Sequence, residues 1–314
     1  MARTGKTAYV FPGQGAQRVG MGQDLYERYA SARDVFDEAD AALGFPLSRI
    51  CFSGPEEELI RTDNMQPALL ATSIACLRAA QEGAREAIPP AAFVAGHSLG
   101  EYTALVATGA LDLPDALRLV RKRGELMLRA GEIRPGGMLA LIGLDRTAAE
   151  EIARETGTEI SNVNSPGQIV ISGPLNALNT AATLAREKGA RRAVALKVSG
   201  AFHSPLMEPV LEEFEQVVAS TPFRSPSVPV IANVTGQPLD GVQQIPQELV
   251  HQLRRCIQWQ SCVEYMAQNG TTSFYEFGPG TVLTGLIKRI VPSVETFSIS
   301  GRDDLLQLMT ATAG

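Results

Sequence analysis

The stretch AGHSLGEY, residues 95–102, sets a serine between two glycines directly after the apolar run AAFVA. A small polar residue there adds nothing to a core. The frame glycine-x-serine-x-glycine is what a sharp strand-to-helix turn needs to lift a serine hydroxyl into the open. Ser98 then has the position of an acyl-forming nucleophile. The first backbone N–H groups of the following helix, beginning with Leu99, carry partial positive charge. They suit the oxyanion that forms when Ser98 attacks a carbonyl. The alternative is a tight turn with a helix-capping serine.

A serine nucleophile needs a base, and the chain has three histidines, His97, His203 and His251. His97 adjoins Ser98, and neighbours on so sharp a turn point different ways. His251 sits in a polar helical stretch and reads as a surface residue. His203, in SGAFHSPLM, lies where the chain leaves a candidate inserted domain. Loops at such junctions often carry function, so His203 is the expected base by elimination and position. No acid presents itself as a third member, which leaves a backbone or side-chain carbonyl to orient the imidazole.

Arg123 is the third chemical residue. Projected on a helix, residues 113–127 place Leu113, Ala116, Val120 and Met127 on one apolar face with Arg123 among them. An unpaired buried guanidinium is costly. Two readings stay open: an internal salt bridge to Asp or Glu, or a planar fork that grips a substrate carboxylate. FPGQGAQ, residues 11–17, is a strand end followed by a Gly-rich turn. It lacks the Lys-Ser/Thr of a P-loop and the glycine spacing of a dinucleotide fingerprint. Beside the elbow, its backbone N–H at Gln14 is a candidate second oxyanion donor.

The elements that must position these residues alternate. TAYVF and AAFVAG read as short buried strands, residues 21–43 and 66–83 as helices, and a further helix starts at Leu99. The helix after TDN has Pro67 near its first turn. This alternation predicts an α/β fold with a mainly parallel sheet. Between residues 128 and 198 the rhythm becomes β-α-β-β-α-β, the ferredoxin-like pattern. The expected architecture is a hydrolase-like α/β core, 1–127 and 199–314, with a ferredoxin-like small domain at 128–198. In the last third, PVIANV and FYEFGPG read as strands, and QELVHQLRRCIQWQSCVEYMAQNG as one helix.

The chain has 314 residues, 45% hydrophobic and 20% charged, with a formal net charge of -6. These values fit a globular protein with a substantial core. The acidic balance speaks against nucleic acid or an anionic membrane as a main partner. Cys51, Cys76, Cys256 and Cys262 form no zinc-type spacing and read as reduced thiols of a cytoplasmic protein. No signal-peptide core or membrane-length apolar run is present.

The motifs together resemble the malonyl-CoA:acyl-carrier-protein transacylase family, which includes acyltransferase domains of fatty acid and polyketide synthases. The resemblance runs through VFPGQGAQ, TDNMQPALLA, AGHSLGEYTALVATGAL, RKRG, NSPGQIVISG, GAFHSPLM and YEFGPGTVLTGLIKRI. It implies Ser98 as nucleophile, His203 as general base and Arg123 as the group that binds the malonyl carboxylate. Gln14 and Leu99 become the oxyanion donors. Gln252 resembles the family glutamine near the histidine, orienting it through a carbonyl. Phe202, before the histidine, is implied to favour malonyl over branched substrates. The implied reaction is ping-pong, from malonyl-CoA through acyl-Ser98 to the phosphopantetheine thiol of an acyl carrier protein. It needs no metal or redox cofactor, and the enzyme is expected to be a monomer with a transient carrier partner. Lys288 and Arg289 are candidates to meet an acidic carrier. The competing expectations are an acyl hydrolase and a catalytically silent docking protein.

Overall fold

The computed structural model describes residues 5–312; residues 1–4 and 313–314, which the expected domain boundaries include, lie outside the described residues. The described chain holds nine strands: β1 (Lys6–Phe11), β2 (Ala91–Gly96), β3 (Gly137–Ile142), β4 (Glu159–Ser165), β5 (Gln168–Gly173), β6 (Arg192–Ala195), β7 (Val230–Ile231), β8 (Thr271–Phe277) and β9 (Glu295–Ile299). They form two sheets. The first has the order β7-β2-β1-β8-β9, and every neighbouring pair in it is parallel. Its central strands are apolar on both faces because helices cover both sides. The second has the order β4-β5-β3-β6 and is antiparallel throughout. With its helices Arg146–Thr156 and Leu175–Glu187 it has the βαββαβ order of a ferredoxin-like unit. The α/β class and the two-sheet arrangement therefore follow the expectation.

Helix boundaries differ in three places. The expected helix 66–83 runs Thr62–Gly83 with Pro67 inside it. TDN is itself the first turn, because the Arg61 carbonyl accepts from the N–H groups of Asn64 and Met65. The Asp63 carboxylate there meets Arg61 and Arg121. The expected helix 21–43 is broken at Tyr29, which is extended (φ -113°, ψ 127°) and packs its ring on Gly83. The third break matters most. The single helix expected over QELVHQLRRCIQWQSCVEYMAQNG ends at Arg254 and resumes at Trp259. Between them Ile257 donates to Ser161 O (2.8 Å) and accepts from Val163 N (2.9 Å), stitching the segment to β4. Tertiary pairing has overridden helix propensity there.

The helix Leu113–Ile133 buries Leu113, Ala116, Val120, Arg123 and Met127 on its inner stripe and continues without a break past residue 127. Among the described residues no helix is long and apolar enough to cross a membrane.

The turn after β2 is tight because two glycines allow it. A Cβ on Gly96 would lie 1.9 Å from the Gly100 carbonyl atoms, and a Cβ on Gly100 would lie 2.1 Å from Phe11 O at the end of β1. Helix Leu99–Ala107 thus presses directly on the two central strands. Gly100→Ala is expected to destabilise the protein by about 1–3 kcal/mol, the usual cost of overpacking. Urea unfolding checks this; a change under about 0.5 kcal/mol, typical of surface sites, would mean that the contact has slack.

Candidate active site

Ser98 sits between β2 and helix Leu99–Ala107 at φ 51° and ψ -104°. It and His203 (φ 55°) are the two non-glycine residues with positive φ among the described residues. Such backbone is strained and persists only where its surroundings over-determine it. At Ser98 the surroundings include Asn233, just past β7. The Asn233 Oδ1 accepts from the Ser98 N–H (2.7 Å) and its Nδ2 donates to Gly96 O (2.7 Å). One amide thus satisfies the backbone groups on both sides of the turn.

Ser98 Oγ lies 2.8 Å from His203 Nε2. On the far side of the ring, His203 Nδ1 lies 2.7 Å from the main-chain oxygen of Gln252. A carbonyl only accepts, so Nδ1 carries the hydrogen and the Nε2 lone pair faces the serine hydroxyl. That carbonyl is available because the helix Gln244–Arg254 ends two residues later, and the last carbonyls of a helix lack partners within it. Burial, reinforced by the Arg123 charge, pushes the His203 pKa down to about 3, which keeps the ring neutral.

Arg123 is 1% exposed. Its Nη1 donates to Gln66 Oε1 (2.7 Å), and its Nη2 donates to Gln252 Oε1 (2.9 Å) and to Ser98 Oγ (3.1 Å). The guanidinium stands over the Tyr102 ring, 5.1 Å from its centroid, a favourable cation–π arrangement. Its Nε has no partner, and among the described residues no carboxylate lies at ion-pair distance from it. The internal salt bridge left open by helical projection is therefore not formed.

These groups line a cleft of about 160 Å³ between the two sheets. Gln14 and Leu99 border it, and neither backbone N–H has an acceptor among the described residues. Phe202 lines it too, with its main-chain oxygen held by Ser172 Oγ of β5 (2.8 Å). The outer walls are apolar, with Leu196, Val198, Val282 and Leu286. The other two histidines are placed differently. His97 Nε2 is bonded to Asn164 Oδ1 (2.8 Å), and His251 is only partly buried on its helix.

The acyl transferase domain family matches residues 8–302. The malonyl CoA-acyl carrier protein transacylase of Bacillus subtilis is 43% identical over 300 residues, 94% of this chain and 93% of its own. An acyl carrier protein S-malonyltransferase from Vibrio cholerae superposes with a TM-score of 0.92 at 40% identity, over 96% of this chain and 99% of its own. A malonyl-transacylase solved in complex with its type II PKS acyl-carrier protein superposes with a TM-score of 0.91 at 38% identity, over 98% of this chain and 99% of its own. The chain belongs to the malonyl-CoA:acyl-carrier-protein transacylase family.

For this transacylase-family chain, the sequence left several contributors unseen. Asn233 is one, because nothing in PVIANV says that β7 lies beside β2. Gln66 is another; it sits within a motif of the resemblance, and its only local signal is a polar side chain on a helix buried all round. Glu101 is a third, inside the elbow motif and fully buried. Gln252 turns out to act at two places: its main chain holds His203 and its side chain holds Arg123.

The neutral state of His203 gives a pH prediction. Its folded pKa of about 3 lies below its ordinary value of 6.5. It therefore contributes stability that is fully present above about pH 6.5 and is lost as pH falls from there toward 3. Proton NMR of the imidazoles is expected to show no titration of His203 between pH 8 and about pH 5. A midpoint near 6.5 would contradict the buried, neutral ring.

Proposed function

We propose that this acyltransferase carries malonyl groups from malonyl-CoA to the phosphopantetheine thiol of an acyl carrier protein by way of an ester on Ser98. The observation that carries the reading is the buried Arg123 guanidinium, with no ion-pair partner among the described residues, 3.1 Å from the Ser98 hydroxyl. A site that holds a cation beside its nucleophile with no carboxylate at ion-pair distance favours an acyl group with a free carboxylate. The relatives named as malonyl transacylases, and the one solved with its carrier protein, support the same donor and acceptor.

In the first half-reaction Ser98 Oγ attacks the thioester carbon and its proton passes to His203 Nε2. The carbonyl oxygen becomes an oxyanion, received by the backbone N–H groups of Leu99 and Gln14. Collapse of the tetrahedral intermediate expels CoA as a thiolate, which takes the proton from His203. In the second half the carrier thiol gives its proton to His203 and attacks the malonyl ester; Ser98 leaves and is reprotonated. The Gln252 carbonyl, bonded to Nδ1–H, keeps the ring in the required tautomer and steadies the imidazolium that forms in each half. The sequence of steps calls on no metal or redox group. Phe202 fills the space beside the substrate α-carbon, and the apolar outer walls accept the pantetheine arm. The carrier belongs to fatty acid or polyketide synthesis, with the enzyme acting as a cytoplasmic monomer.

Intact-protein mass tests the reading. Wild type mixed with malonyl-CoA is expected to gain one malonyl group that holo carrier protein removes faster than water does. Ser98→Ala should take no label, and Arg123→Ala should acylate at least about 100-fold more slowly, as when one partner of a buried charged contact is lost. Phe202→Ala should shift the malonyl-to-methylmalonyl preference by about tenfold, within reach of a pocket of this kind. A malonyl ester lost to water regardless of carrier would make the protein a hydrolase instead.

The helix Val282–Ile290 places exposed Lys288 and Arg289 beyond the Val282 and Leu286 wall, and Arg289 Nη1 donates to Gln168 Oε1 (2.7 Å) at the cleft. Charge reversal by Lys288→Glu with Arg289→Glu is expected to raise the carrier KM about tenfold while leaving acylation by malonyl-CoA intact. An unchanged carrier KM would remove this face from the docking surface.

A further inference from the structure

Two carboxyl groups lie behind the site, and the steps above use neither. Glu101, on the helix that follows Ser98, is fully buried; Glu248, on the helix that carries Gln252, is 7% exposed. They divide two consecutive backbone donors between them. The Asn233 N–H goes to Glu101 Oε1 (3.2 Å) and the Val234 N–H to Glu248 Oε1 (2.8 Å). Glu101 Oε2 accepts from the Gln252 amide Nε2. The two carboxyls thus sit on adjacent backbone N–H groups, and neither can donate to the other unless one of them holds a proton. Two adjacent buried carboxyls cannot both ionise when no cation pairs with them, and among the described residues none does.

The chain of contacts leads from this pair to every reacting group. Gln252 Nε2 donates to Glu101 and also to Ser98 O (2.9 Å). The other end of the same amide, Oε1, accepts from Arg123 Nη2, and the main chain of the same residue holds His203. Asn233, anchored by Glu101 through its N–H, clamps the Ser98 turn. We infer that Glu101 and Glu248 form an acid–carboxylate pair with one shared proton, and that Glu101 is a positioning residue that fixes Gln252 and Asn233 and through them the Ser98–His203 geometry.

The pair also places the countercharge of Arg123 one amide away. The guanidinium stays charged, yet its side toward Ser98 remains free of a fixed anion. Burial pushes the Glu101 carboxyl well above the usual range, with the Glu248 charge adding to the effect. Arg123, Tyr102, Arg255 and Cys262 are the other ionisable groups that interact electrostatically with the pair.

The inference rests on the reading of Ser98 as nucleophile and His203 as base, and the test separates the two. Wild type, Glu101→Gln, Glu101→Asp and Glu248→Gln are compared in two rates: acylation by malonyl-CoA, and labelling of Ser98 by phenylmethylsulfonyl fluoride, a neutral probe with no carboxylate for Arg123. Thermal unfolding is followed on each. Glu101→Gln puts an amide donor where two donors must be accepted, and both rates are expected to fall about 100-fold in folded protein, as for a reacting group misplaced by about an ångström. Glu248→Gln keeps an amide oxygen to accept from the Val234 N–H and from the Glu101 acid, so a loss of less than about tenfold, one ordinary hydrogen bond, is expected. Glu101→Asp serves if Glu101→Gln does not fold, and should slow both probes in the same proportion. A folded Glu101 variant that labels as fast as wild type, or Glu248→Gln as damaged as Glu101→Gln, overturns the inference. If wild type itself takes no malonyl group, the transfer reading fails instead.

Discussion

A guanidinium buried without an anion at ion-pair distance is the constraint around which the centre of this molecule is arranged. Such a charge is tolerated only where fixed dipoles surround it. Arg123 has the amide oxygens of Gln66 and Gln252 and the face of Tyr102. Those residues come from three different helices: those of Gln66 and Tyr102 pack on helix Leu113–Ile133, and the Gln252 side chain is tied to the elbow by its bond to Ser98 O. The charge in turn acts on its neighbours: it lies against the serine hydroxyl and helps keep the nearby imidazole unprotonated. The positions of hydroxyl, imidazole and cation are thus a single electrostatic arrangement.

The placement of the candidate Ser98 turn and of buried Arg123 was legible in the sequence because it depends on short-range pattern. A glycine-x-serine-x-glycine frame after an apolar run, and an arginine at helical spacing among Leu113, Ala116, Val120 and Met127, are read from neighbours alone. The βαββαβ order was legible for the same reason. Strand order was not. The placement of β7 beside β2, and with it the clamp by Asn233, depends on contacts more than 100 residues apart. The family resemblance supplied Gln252 and Phe202, but Gln66, Asn233 and Glu101 carry no signal that separates them from ordinary buried polar residues.

The break between Arg254 and Trp259 shows how a failed secondary-structure reading can sit at the functional centre. The segment has helical residues on both sides and no proline or glycine between, so propensity favours continuation. Ile257 is instead held in extended pairing with β4. Had the helix continued, the carbonyl of Gln252 would accept from the N–H of Cys256, four residues on. The interruption leaves that oxygen for His203.

The same four-residue interruption ties three distant parts of the chain together. Ile257 is bonded to Ser161 and Val163 in the antiparallel sheet, and Gln258 N–H to Asn233 O beside the elbow. Until both sheets have formed and docked, the segment has no reason to leave the helix, the histidine has no acceptor, and the serine turn lacks its clamp. A nascent or partly unfolded chain therefore carries an ordinary serine with ordinary alcohol reactivity. On the reading proposed above, the reactivity of Ser98 therefore belongs to the assembled fold and to no single segment of the chain.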